Sequence, residues 1–241
     1  YTLSLHDALP IIAEKINKNQ TIETGNNHKW VQTFTQSSWI SPNGSVFSYS
    51  NWDEAKRTVG VYKNGDVVGE LVPTQSITTN WGDITGDSKY VYLTSMISQG
   101  NWVVNGYGVM RVDNKTYLWA GFNSGFGDYS CYFKVRDSGT TALYRHITSD
   151  ETTNKLFVTD SFNNKNKVFV FNTNPANGTA IDSFDLSGIV DMVAYNGNIW
   201  IIIGNEIRKY TQSGTYTNVK INVNNATKIQ INRQNQLMVW D

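Results

Sequence analysis

The chain carries no excess charge of either sign: 20 Lys+Arg face 20 Asp+Glu. That balance gives a polyanionic partner no purchase, so nucleic acid is set aside as a partner class. Cysteine is almost missing. A single Cys excludes both a thiolate zinc site and an internal disulfide. Histidine is scarce as well, with 3 in the chain. His6 lies in an opening stretch unlike the rest, which leaves His28 and His146 for imidazole chemistry. No apolar run approaches the ~20 residues of a membrane span; the densest is NIWIII at Asn198 to Ile203. ALPIIA near the start is too short for a signal-peptide core and has His6 and Asp7 in front of it. What is present is a composition of 39% hydrophobic and 13% aromatic residues, with 8 Trp and 19 Gly. That is globular and turn-rich rather than disordered. The length suits one large all-β domain or two small ones.

Self-similarity organises the chain. Five segments align: WISPNGSVFSYS, DITGDSKYVYLTS, HITSDETTNKLFVTD, DMVAYNGNIWIII and KIQINRQNQLMVWD. Each reads as a short apolar strand, a turn and a stronger apolar strand. Their ends, Ser50, Ser95, Asp160, Ile203 and Asp241, are 45, 65, 43 and 38 residues apart. Apart from one long interval these lie near the ~40–50 residue period of propeller blades. A second strand pair follows each of the first four, for example TVGVYKNGDVVGEL and KVFVFNTNPANGTAIDSF. Asn43-Gly44, Asn64-Gly65 and Asn196-Gly197 supply hairpin-turn signals. KLFVTD, KVFVFN and NIWIII do not alternate cleanly between apolar and polar, so both faces of these strands should be buried. A two-sheet sandwich would alternate along most strands.

The expected fold is therefore all-β: a β-propeller of four-stranded blades, with four complete blades and part of a fifth. The ring reads as cut at both ends. WVQTF (Trp30 to Phe34) is expected to be an outer strand that closes a final blade. Gly121 to Arg145, in the long interval, is rich in glycine but lacks the Gly-Lys-Ser/Thr and helix of a phosphate cradle, and is expected to be a blade-to-blade crossing with an extra hairpin.

Two resemblances bear on organisation. YTLSLHDALPI, Tyr1 to Ile11, resembles an in-frame translation of a common sequencing-library adapter and is set aside from the fold. Residues 12–29 read as a linker or remnant, and 30–241 as an incomplete propeller domain. NWDEAKRTVGVYKNGDVVGEL (Asn51 to Leu71) and GYGVMRVDN with YLWAGFNSGFG resemble secreted bacterial propellers of the NHL or sugar-lactone-lactonase-like type. Those accompany carbohydrate-binding or glycoside-hydrolase modules. The resemblance implies a six-bladed ring and an extracellular setting, without supplying a reaction.

Candidate site residues follow the inner strands. Trp52, Asp53 and Glu54 come directly after one of them. Carboxylates there suit a hard cation or sugar hydroxyls, with the indole on a sugar face; the plainer role is a polar loop with an apolar plug. Asp160 and Asp241 end the second strands of their units and, with Glu54, form the candidate calcium ligands. Turn capping is their plainer role. Trp81, Asp83 and Trp102 are expected in loops, as a sugar-stacking platform or as plugs between blades. His146 opens a core-facing strand and reads as structural, with no triad pattern nearby.

The leading functional expectation is a non-catalytic extracellular propeller, binding carbohydrate or serving as a spacer beside other modules of a larger secreted protein. In that reading there is no cofactor. The alternative is a calcium-dependent lactonase-like hydrolase with its site on the propeller axis. A protein–protein platform is a third class.

Overall fold

A computed structural model describes residues 35–41, 44–50, 59–63, 66–71, 78–98, 107–116, 133–136, 144–160, 167–175, 178–232 and 235–240. Among these residues the regular structure is entirely β, and no helix is long and apolar enough to cross a membrane. Blade 1 contains β1 (Thr35–Ile40), β2 (Val46–Ser50), β3 (Val59–Lys63) and β4 (Asp66–Leu71). Blade 2 contains β5 (Thr78–Gly86), β6 (Tyr90–Ser98), β7 (Tyr107–Asp113) and β8 (Phe133–Arg136). Blade 3 contains β9 (Tyr144–Asp150), β10 (Lys155–Asp160), β11 (Lys167–Asn172) and β12 (Ala180–Asp185). Blade 4 contains β13 (Ile189–Tyr195), β14 (Asn198–Ile203), β15 (Glu206–Thr211) and β16 (Tyr216–Asn222). A fifth, two-stranded sheet pairs β17 (Lys228–Ile231) with β18 (Leu237–Trp240).

Within every sheet the strands pair antiparallel with their sequence neighbours. Where the connection is a two-residue turn, as between β13 and β14 and between β14 and β15, it leaves the next strand no other partner. Asn196 and Gly197 show the mechanism: both have positive φ, 47° and 79°, as the hairpin turn between β13 and β14 demands. The first strands of the sheets then lie side by side, β1 against β5, β5 against β9, β9 against β13, and β13 against β17.

Packing between sheets explains the apolar runs. In β10, Leu156 and Val158 join Tyr92, Val109 and Ile147 in the core shared by blades 2 and 3. Phe157 points the other way, into a core with Met192, Ile199 and Ile201 of blade 4. In β14, Trp200 and Ile202 in turn meet Ile229 and Leu237 of the fifth sheet. A strand whose odd and even positions serve two different cores cannot alternate with polar residues. Each fully buried aromatic or aliphatic side chain contributes roughly 1.5–3 kcal/mol, and these clusters bind blades 2, 3 and 4 and the fifth sheet to one another. The arrangement is propeller-like, as the repeat predicts.

Two expectations change. The fourth strand of blade 2 is Phe133–Arg136, paired with β7, so part of the glycine-rich stretch belongs to a blade instead of forming only a crossing. Trp81 and Asp83 sit in β5 instead of a loop, because the strand accommodates Gly82 and Asp83 in a bulge. Trp30 to Phe34, the Asn64-Gly65 turn, Trp52, Asp53, Glu54, Trp102 and Asp241 lie outside the described residues.

Candidate functional site

The five first strands line one cavity of about 1010 Å³, with Trp39 from β1, Asp83 from β5, Thr148 from β9, Asp191 from β13 and Lys228 from β17 on its wall. Asp83, His146 and Asp191 each bring one ligand-capable atom to a point where all three lie within 4.8 Å of one another. The two aspartates are buried, at 6% and 2% exposure.

Backbone irregularity aims these side chains. In β5, Trp81 pairs with Ser95 and Ile84 with Leu93, so Gly82 and Asp83 together face Thr94 alone. In β9, Tyr144 pairs with Asp160 and Ile147 with Val158, so Arg145 and His146 together face Thr159. In β13 the register shifts between Ile189 and Asp191, leaving Val190 as the extra residue. A bulge re-aims the side chain beside it, and here the same bulge recurs in three successive blades. Threonine secures two of them. Thr94 Oγ1 accepts from the Asp83 amide at 2.7 Å and donates to the Asp83 carbonyl at 3.3 Å. Thr159 Oγ1 does the same for His146, at 3.0 and 3.4 Å.

The carboxylates are then held by main chain. Asp83 Oδ1 accepts from the Ile84 amide at 2.9 Å, and Oδ2 from the Ile147 amide of the next blade at 3.1 Å. Asp191 Oδ2 accepts from the Ile229 amide at 2.8 Å, again on the next blade. Its Oδ1 stands 3.2 Å from His146 Nδ1. The Lys228 ammonium completes the group, 3.4 Å from Asp83 Oδ1 and 3.7 Å from Asp191 Oδ2. Burial opposes the charge on Lys228, but the two carboxylates outweigh it and hold its pKa above the ordinary 10.5. Two carboxylates in a poorly hydrated wall repel one another unless positive charge stands between them.

Thr148, Ser149 and Asp150 of β9 add four more hydrogen bonds between blades. Thr148 Oγ1 accepts from the Ala194 amide at 2.8 Å, and Ser149 Oγ donates to the Gly86 carbonyl at 2.6 Å. Asp150 accepts from the Gly197 amide at 2.7 Å and from Gln212 Nε2 at 2.8 Å. Trp39 lies so close over Gly86 that a Cβ there would come within 2.6 Å of the indole.

Of the residues singled out from sequence, Asp83 belongs to the cluster. Asp160 is buried at the end of β10, opposite Tyr144, and is not one of the three grouped ligands. His146, expected to be structural, is one of them. Asp191 and Lys228 went unremarked in the sequence, yet a signal was there. The five aligned segments begin with Trp39, Asp83, His146, Asp191 and Lys228, so one column of the repeat is charged or polar in four places and each time precedes an apolar residue.

No protein-family model matches this sequence, and no curated protein matches it. Among solved structures it is similar to the hydrazine synthase of Kuenenia stuttgartiensis, at 9% identity and a TM-score of 0.51, covering 83% of this chain and 59% of that one. It also aligns with the structure of a Dos1 propeller at 8% identity and a TM-score of 0.49, covering 81% of this chain and 50% of that one. The chain thus spans less than two thirds of either protein. These likenesses concern fold alone. The likeness to the hydrazine synthase supports a propeller-like, β-rich fold, and not the narrower NHL or lactonase-like family.

Proposed function

We propose that the Asp83–His146–Asp191 cluster holds a divalent cation and that the cavity it borders is the active site of a hydrolase. The observation that carries this is the convergence of three donor atoms within 4.8 Å from three successive blades, two of them, on Asp83 and Asp191, belonging to residues that line the cavity. The donors are two carboxylates and an imidazole. Calcium takes six to eight oxygen ligands, whereas a mixed nitrogen and oxygen set suits Zn²⁺ or Mn²⁺. Calcium is therefore replaced by these ions in the reading, and Glu54, Asp160 and Asp241 by the three residues of the cluster. When bound, such an ion polarises a carbonyl oxygen and acidifies a water.

The chain's own part is orientation. The Thr94 and Thr159 hydroxyls fix the backbone under two ligands, and the Ile147 and Ile229 amides fix the carboxylate planes. Gln230 and Asn232 line the same cavity as Trp39, Tyr195 and Trp240, a mixture of amides and flat apolar faces that suits a hydroxylated ring such as a sugar lactone. The test is hydrolysis of a panel of sugar lactones and aryl esters, followed by acid release, after chelation and reloading with Zn²⁺, Mn²⁺ or Ca²⁺. Turnover with Zn²⁺ or Mn²⁺ that is abolished by Asp191→Asn is the expected result. Silence with every ion and substrate would remove the hydrolase reading.

A second reading is favoured by Lys228. Its ammonium lies near both carboxylates, and main-chain amides take further lone pairs, so the group also serves as a clamp between blades.

A further inference from the structure

The clamp and the metal site draw on the same two carboxylates. Asp83 Oδ1 lies 3.4 Å from Lys228 Nζ, and Asp191 Oδ2 lies 3.7 Å from it. These two carboxylates are also two of the three cation ligands. Lys228 heads the β17 segment in the repeat column that supplies Asp83, His146 and Asp191 on β5, β9 and β13. It therefore reaches the cluster from the adjoining inner strand, as a fourth member of the same tier.

We infer that Lys228 is a tethered resident cation: its ammonium occupies the electrostatic place of the metal and leaves when a divalent ion enters. This rests on the reading of the cluster as a cation site. Two positive charges drawn to the same two buried carboxylates repel strongly in a poorly screened wall. The ion and the ammonium therefore exclude one another. The displaced lysine has somewhere to go, because its side chain is 33% exposed and lines the cavity. Its flexible four-carbon stem permits the swing. The tether makes the site selective, since an ion must bind the three ligands more tightly than Lys228 does. It also keeps the blades clamped while no ion is bound. In the loaded state the ammonium stands in the cavity beside the ion, where it faces whatever the cavity holds.

The experiment uses the wild-type chain, so it does not depend on how a variant folds. Lysine acylation by an amine-reactive ester is mapped peptide by peptide, without ion and with saturating Mn²⁺ or Zn²⁺, while binding of the same ion is followed by calorimetry. Lys228 reactivity is expected to rise several-fold on loading, while Lys220, paired on the surface with Glu206, stays unchanged. In parallel, Lys228→Met is expected to bind the ion about tenfold more tightly, because the competitor is gone. Ion binding with Lys228 reactivity unchanged would overturn the inference and leave the metal site standing. Absence of binding to both wild type and Lys228→Met would overturn the site and the inference together.

Discussion

The carboxylate of Asp191 on β13 accepts a hydrogen bond from the backbone amide of Ile229 on β17, 2.8 Å away on the next sheet. The Asp83 carboxylate on β5 repeats this with Ile147 of β9, at 3.1 Å. One tier of side chains thus links blade to blade and gathers charge at the same place. Removing the side chain leaves a buried amide without its acceptor and Lys228 with half its counter-charge. Asp191→Ala is expected to lose about 2–4 kcal/mol of stability, and Asp191→Asn, which keeps an oxygen acceptor, about 1 kcal/mol. Urea unfolding measures both, and equal losses would show that the hydrogen bond from the Ile229 amide is unimportant.

Thr159 acts on His146 through the backbone. Valine keeps its shape and removes the hydroxyl that brackets the bulge, so Thr159→Val is expected to cost about 1–2 kcal/mol. Because the bulge aims the imidazole, the same change should weaken Zn²⁺ binding on the order of tenfold. Calorimetry on the folded variant checks this; unchanged affinity would mean that His146 is aimed by something else.

Gly86 carries Trp39 against it, with the indole 2.6 Å from where a Cβ would stand. A rigid ring cannot yield as a flexible side-chain end does. Gly86→Ala is expected to destabilise the chain by about 1–3 kcal/mol, and Trp39→Leu in the same chain should recover part of the loss. Thermal unfolding of the single and double variants reads the coupling.

Alkaline pH should unfold the chain earlier than its composition suggests. Burial, together with the nearby Asp87 carboxylate that accepts the phenol's hydrogen bond, pushes Tyr92 far above its ordinary 10.0. Asp83 and Asp191, outweighing burial, raise Lys228 above 10.5. Both groups hold their proton more tightly when folded. Their contribution is therefore complete below about pH 10 and is lost as pH climbs through the folded values. Stability against urea should fall from pH 10 upwards, and less steeply in Tyr92→Phe.

The repeat, the meander of each blade and the two-sided burial of β10 and β14 were legible because each follows from a local pattern: period, turn residues, unbroken apolar runs. Asn196-Gly197 needed nothing beyond its own two residues. The cluster was not legible in that way. Asp83, His146 and Asp191 are far apart in the chain and meet because three bulges turn them inward. A bulge leaves no mark on apolar alternation when both strand faces are buried. His146 accordingly looked like the start of an ordinary strand, and Trp81 to Asp83 like a loop. The fourth strand of blade 2 was obscured by the glycines that precede it, since they read as a connection between blades.

Counting bound metal tests the account most directly. Wild-type chain and the double variant Asp83→Asn with Asp191→Asn are dialysed to equilibrium against micromolar Zn²⁺ or Mn²⁺, and the metal in each is quantified beside far-ultraviolet circular dichroism to confirm folding. The account predicts one ion retained by the wild type and none by the folded double variant. Equal metal in both, or none in the wild type, would contradict it.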